Sequence, residues 1–322
     1  LTKNNDNTHP EFYFNFFTST DNHQIRWGTM RAEEEISEAK GIVLLLNGKT
    51  EFMEKYREVA SKFSHLGYHV MSLDWRGQGL SVRELYNHDK GYVRDFQHYI
   101  NDLELFYNVY ISPLKLPVTI LAHSMGGHIT LRFLAQCATV DKMNIQQAIL
   151  ISPMVDIVIT PFLGVTPDRL ARWAARKLAD LAVRTGLEER YVPGQRDYCK
   201  ERVQFKENVL THDIDNFFLE HREIEKNRAL ALGGVTWGWL KAAFDSIDLL
   251  QNEMYLSCIK NQISVFSAAE DSVVCNRAQQ RVCQTLPEGR FISIPGARHE
   301  ILFETAQIRK VLWSHIISLL KR

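Results

Sequence analysis

Val118-Thr-Ile-Leu-Ala-His-Ser-Met-Gly-Gly127 runs an apolar strand straight into a turn centred on Ser124, and a helical pattern follows over His128–Ala138. Strand, sharp turn and helix, with small residues two positions either side of a serine, form the context of a nucleophile elbow. The turn lifts the serine hydroxyl above the sheet, and the small residues let strand and helix pass closely. Ala122 stands where the first glycine of a G-x-S-x-G motif would be, which adds one methyl group.

Outward from the elbow, short apolar runs recur at Ile42–Leu46, His69–Leu73, Val118–Leu121, Ala148–Ile151, Ile263–Phe266 and Phe291–Ile294, separated by helical patterns. Unbroken apolar strands alternating with helices predict an α/β fold whose mostly parallel sheet is covered on both faces. Glu11–Met30, with Thr20-Asp21-Asn22 at its centre, predicts a leading hairpin. The strand rhythm stops between about Pro153 and Leu250, where the pattern is helical. The predicted organisation is therefore a core of residues 11–152 and 250–322, with 153–249 inserted as a helical cap before the strand that carries the catalytic acid. Residues 1–10 are polar, are expected to be disordered, and carry no signal-peptide pattern.

A serine hydroxyl needs a base, and the base needs an orienting acid. In this topology their chain order is serine, acid, histidine. Phe291–Ile294 leads to His299, the base. Ile263–Phe266 leads to Ser-Ala-Ala-Glu-Asp, which offers Glu270 and Asp271, and loop register favours Asp271. Two backbone N–H donors are expected for the tetrahedral intermediate. One is Met125, next to the serine. The other is Lys49, in the Asn47-Gly48-Lys49 loop after the first parallel strand.

Composition narrows the function. Lys plus Arg and Asp plus Glu each total 38, so no basic excess points to nucleic acid. The five cysteines are scattered without a C-x-x-C pair, which reads as reduced thiols in a cytoplasmic protein. No H-E-x-x-H or G-x-G-x-x-G is present, so neither a metal nor a dinucleotide cofactor is implied. No apolar stretch reaches the roughly 18 residues of a membrane span.

Asn47-Gly48-Lys49 with Tyr56, Asp74-Trp-Arg-Gly-Gln-Gly79-Leu-Ser81, Ala122–Gly127 and Arg298-His299-Glu300 resemble the monoglyceride-lipase and lysophospholipase branch of the α/β-hydrolases. Asn208-Val-Leu-Thr-His212, Gly233-Gly-Val-Thr-Trp237 and Gly296–Glu304 are most similar to bacterial inner-membrane lysophospholipases, and the likeness spans nearly the whole chain. It implies hydrolysis of the single acyl ester of a lysophospholipid, with Asp271 as the acid and Lys49 and Met125 as oxyanion donors. A monoacylglycerol lipase or general carboxylesterase is the alternative, and a non-catalytic lipid-binding module is the alternative of another class. Asn47 replaces the histidine that opens this loop in monoglyceride lipases, and Lys49 replaces a small residue. That weakens the monoglyceride reading.

The cap supplies Phe162, Leu163, Trp173, Phe217, Phe218, Trp237 and Trp239 for an acyl slot or for its own core, with Trp237 taken as a substrate contact. Thr166 and Pro167 are expected to start a helix reaching about Val183, with Leu170, Trp173, Ala174, Leu178 and Leu181 on an apolar face. Arg169, Arg172 and Arg176 fall on a neighbouring face, which suggests peripheral contact with an anionic membrane.

Overall fold

The computed structural model describes residues 11–32, 39–137, 143–158 and 168–321. Phe162, Leu163, Thr166, Pro167, the side chain of Arg169 and the predicted disordered residues 1–10 lie outside the described residues, as does Ala138 at the end of the helix after the elbow.

Eight strands form one sheet: β1 (Tyr13–Thr18), β2 (Gln24–Met30), β3 (Gly41–Leu46), β4 (Tyr68–Leu73), β5 (Val118–His123), β6 (Ile145–Ile151), β7 (Gln262–Ala268) and β8 (Gly289–Ile294). Their spatial order is β1-β2-β4-β3-β5-β6-β7-β8. The β1–β2 hairpin is antiparallel and β2 joins β4 antiparallel, whereas β4 through β8 are all parallel. The six predicted apolar runs all fall within strands.

The helices are α1 (Arg57–His65), α2 (Gln97–Phe106), α3 (Met125–Cys137), α4 (Asp168–Arg184), α5 (Ile214–Phe217), α6 (Leu219–Lys226), α7 (Trp237–Leu250), α8 (Glu253–Leu256), α9 (Asn276–Thr285) and α10 (Ala306–Leu320). Side chains alternate across a strand. Ile42, Leu44 and Leu46 of β3 therefore lie on the face covered by α2, α3 and α9, in one core with Ile100, Leu103, Ile129 and Val282. Val43 and Leu45 face α1 and α10, packing with Val59, Phe63, Leu312 and Ile316. Both faces are buried, and this is why these strands read as unbroken apolar runs.

Helices α4 to α7 occupy the predicted cap interval. Helix α7 buries Trp239, Ala242, Ala243 and Leu250 in the main core, while Leu240 and Phe244 meet Ala179 of α4 in a smaller cluster. Gly91 and Val235 pair across a β-bridge, which ties the insertion to the core.

Helix α4 carries its large apolar residues on the outside. Leu170, Trp173, Leu178 and Leu181 are 50%, 58%, 53% and 58% exposed, so the large apolar face points outward. The small residues Ala179 and Ala182 are buried instead, which lets α4 approach α7 closely. Arg172 and Arg176, expected at an anionic membrane, turn toward the protein instead. Arg172 pairs with Asp156 at 3.0 Å and lies over the Phe244 ring, and Arg176 pairs with Asp245 and Asp248 of α7.

Candidate active site

Ser124 sits between β5 and α3 with φ +49°, in the left-handed region that costs a non-glycine residue strain. Three backbone hydrogen bonds hold it there. Its N–H donates to Ile151 O at 3.0 Å, and its carbonyl accepts from His128 N at 3.1 Å and Met154 N at 2.9 Å. The neighbouring strand ends therefore fix the turn. Gly126 is required at this crossing, because a Cβ there would lie 2.5 Å from Leu46 O and 2.6 Å from Asn47 O. Ala122 is fully buried, in register with Leu46 and Leu150, so its extra methyl is accommodated.

The loops after β7 and β8 bring their side chains to the serine. His299 Nε2 lies 3.0 Å from Ser124 Oγ, and His299 Nδ1 lies 2.8 Å from Asp271 Oδ2. The other Asp271 oxygen accepts the N–H groups of Val273 at 2.8 Å and Val274 at 3.0 Å. That carboxylate is fully buried with its position locked. Glu270 turns away, is half exposed, and reaches His212 Nε2 at 3.5 Å.

Above Ser124 is a cavity of about 390 Å³. Met154, Ile157, Leu210, Phe217, Trp239, Val273 and Val274 form its apolar wall. Trp237, expected as a substrate contact, does not line it. It packs beside Ala179, Leu240 and Phe244, in the contact of α7 with α4. Trp239, two residues on, faces the cavity instead. Phe218 packs edge-on to Phe217 behind the wall. A larger open groove of about 1040 Å³ runs between α1, α6 and α10, but contains none of the serine, histidine or aspartate.

Lys49 enters the cavity from the β3 loop. Its ammonium donates to Thr50 Oγ1 at 2.8 Å and lies 5.4 Å from the Trp239 ring centroid. Among the described residues it pairs with no carboxylate: Glu51 is engaged by Lys55 and Glu54 by Arg26. Burial pushes the Lys49 ammonium down to about 8, opposed by the charge of Glu220.

The polar end of the cavity holds a network that sequence reasoning missed. Buried Lys55 donates to Glu51 at 2.8 Å, Glu300 at 2.7 Å and Glu220 at 3.3 Å. Burial alone would lower its pKa, but Glu300, Glu51 and Glu220 together raise it well above the usual value. The second oxygen of Glu51 accepts from Tyr56 at 2.7 Å, from the Gly48 N–H, and lies 3.0 Å from His123 Nδ1. Glu51 thus fixes the loop that carries Lys49. The spacing of Glu51 and Lys55 was a local signal for one pair, whereas no local signal announced Glu220. Among the described residues, no cluster of three His, Cys, Asp or Glu is placed to hold a metal ion.

A family model described as serine aminopeptidase, S33 (Hydrolase_4) matches residues 37–306. The chain is 30% identical over 319 residues to lysophospholipase L2 of Escherichia coli strain K12, covering 95% of this chain and 86% of that one. Its fold is similar to a soluble variant of monoglyceride lipase from Saccharomyces cerevisiae, with TM-score 0.72, 19% identity, and 98% and 96% of the two chains covered. It is also similar to a thermostable carboxyl esterase from Bacillus coagulans, with TM-score 0.74, 16% identity, and 96% and 98% covered.

Proposed function

Because the chain belongs to the serine aminopeptidase S33 family of α/β-hydrolases, in its monoglyceride-lipase and lysophospholipase branch, we propose that it is a lysophospholipase using Ser124, His299 and Asp271 as its triad. The supporting observation is that one imidazole bridges a strained serine and a buried, doubly hydrogen-bonded carboxylate. His299 takes the Ser124 proton as the oxygen attacks the acyl carbonyl. The Lys49 and Met125 N–H groups receive the developing oxyanion. His299 then protonates the departing glycerol oxygen, which releases the glycerophosphodiester. Water repeats the sequence on the acyl-enzyme and frees the fatty acid. The acyl chain lies along the Met154, Ile157, Phe217 and Trp239 wall, where each buried methylene contributes about 0.8 kcal/mol. The Lys49 ammonium faces the phosphate as a point charge.

Residues 153–249 act as the cap over this cavity. No helix among the described residues is long and apolar enough to cross a membrane. The outward apolar face of α4 supports peripheral contact with a bilayer. A monoacylglycerol lipase or carboxylesterase is the second reading, favoured by the mostly apolar lining, which would accept any monoacyl ester.

The test is side-by-side turnover of a lysophospholipid, a monoacylglycerol and a short p-nitrophenyl ester, with fluorophosphonate labelling. Ser124→Ala should abolish labelling and lower kcat by about 10⁶-fold, as in another serine hydrolase. Turnover of the neutral esters alone would select the second reading, and retained activity in Ser124→Ala would remove the mechanism.

A further inference from the structure

The cavity that holds Ser124 carries an uneven distribution of charge. Lys49, near the reacting ester, is a cation without a carboxylate partner among the described residues. The polar end has the opposite imbalance. An ammonium has three N–H donors, and Lys55 directs them at Glu51, Glu300 and Glu220. His123 Nδ1 lies 3.0 Å from Glu51. Burial opposes its protonation, but Glu51 beside it raises its pKa. One ammonium serves three carboxylates, so at least one is in surplus even when His123 is charged.

Glu220 is that carboxylate. It makes the longest of the three contacts to Lys55, and its side chain keeps 16% exposure where Glu51 and Glu300 keep 4% and 7%. It comes from α6 of the cap, whereas Lys55, Glu51 and Glu300 belong to the core. Burial pushes its carboxyl up to about 7, Lys55 opposes this, and Glu300 and Glu51 add to it. Neighbouring His221 adds no competing cation, since burial and Lys55 push its pKa down to about 4. The Glu220 charge reaches Lys49 across the cavity. One cavity thus offers the Lys49 cation and, from the insertion, a carboxylate that shares its counter-charge Lys55 with two others.

We propose that Glu220 selects the headgroup, receiving the ammonium of an amine-bearing lysophospholipid while Lys49 faces its phosphate. This rests on the lysophospholipase reading and specifies its substrate class. A zwitterionic phosphoethanolamine carries an anion and a cation a few bonds apart, one for each of the two side chains. A phosphoglycerol headgroup supplies the anion for Lys49 and nothing for Glu220. A monoacylglycerol supplies neither.

The test compares kcat/KM for lysophosphatidylethanolamine and lysophosphatidylglycerol of one acyl chain, in the same mixed micelles, for the full chain and for Glu220→Gln. The wild type should favour the ethanolamine substrate, and Glu220→Gln should lower the ratio of the two by roughly 5- to 30-fold. Glu220→Asp, which keeps the charge, should recover part of the ratio. An unchanged ratio, even with both rates reduced, would leave Glu220 as a latch between cap and core and overturn the proposal. A readout independent of any variant is product inhibition of the wild type, where glycerophosphoethanolamine should bind more tightly than glycerophosphoglycerol. Equal inhibition also overturns it. A wild type that cleaves monoacylglycerol but neither lysophospholipid would instead remove the lysophospholipase reading itself.

Discussion

A single oxygen separates the roles of Glu270 and Asp271. Asp271 spends one oxygen on the Val273 and Val274 N–H groups and presents the other to His299. Asp271→Asn keeps the first interaction only by turning its NH₂ toward His299 Nδ1, which forces the imidazole into the wrong tautomer. Activity should fall by about 10⁴-fold in kcat, as for the same change in a serine protease, while Glu270→Gln should change it little. The reverse ranking would move the role to Glu270. Lys49 gives a second prediction at this scale. Its ammonium, pushed down to about 8 by burial, is charged below that pH and neutral above it. The kcat/KM ratio of lysophosphatidylglycerol to monoacylglycerol should therefore be steady at lower pH and fall as pH rises through about 8. Lys49→Met should show a low, flat ratio, and a flat wild-type ratio to pH 9 would take the phosphate role from Lys49. Ser124, His299 and the loop of Lys49 were legible in the sequence because each follows a strand end at a fixed place in the topology. The Lys55 network was not, since its carboxylates lie 4, 165 and 245 residues from it in the chain. Trp237 and Trp239 are both apolar, and only the phase of α7 decides which one faces the cavity.

At the scale of elements, the contact between the elbow and β3 carries the chemistry. Gly126 sits where the first turn of α3 crosses the end of β3, against Leu46 O and Asn47 O. Both clashing atoms are backbone, so no side chain can move aside for an added methyl. Gly126→Ala should cost about 1–3 kcal/mol of stability, read as a fall in the denaturant midpoint. It should also lower kcat more than it raises KM, because the shift separates the Met125 and Lys49 N–H groups. A variant with wild-type stability and kcat would show that the crossing is looser than the geometry gives. The strands were readable from sequence because burial on both faces imposes an unbroken apolar signature. The facing of α4 was not. Its pattern holds two stripes, one of large residues and one of alanines, and periodicity locates both without ranking them. Close packing against α7, with Arg176 reaching Asp245 and Asp248, selects the alanine stripe for the interior.

For the whole molecule, the facing of α4 decides how the chain would meet its substrate. Lysophospholipids reside in membranes, so the acyl chain must pass from bilayer to cavity. Charge alone gives little attraction, because Lys plus Arg and Asp plus Glu both total 38. Arg172 and Arg176 are held by Asp156, Asp245 and Asp248 and are not presented to lipid headgroups. The exposed side chains of Leu170, Trp173, Leu178 and Leu181 remain, on one face of α4, and such a face inserts at the boundary between headgroups and acyl chains. The membrane prediction therefore moves from the arginines to the apolar residues. Replacing Leu170, Trp173 and Leu181 together by Glu should weaken co-sedimentation with vesicles by about 3 kcal/mol, roughly 100-fold in partitioning, given partial burial of each side chain. The effect should persist on neutral vesicles and at high salt, where screening would remove a charge-driven contact. Arg172→Gln with Arg176→Gln should leave sedimentation unchanged. Turnover of a short water-soluble ester should survive the triple change, and hydrolysis of vesicle-borne lysophospholipid should slow. Wild-type sedimentation of the triple variant would overturn the docking role of α4, and salt-sensitive binding lost with the arginines would return that role to charge.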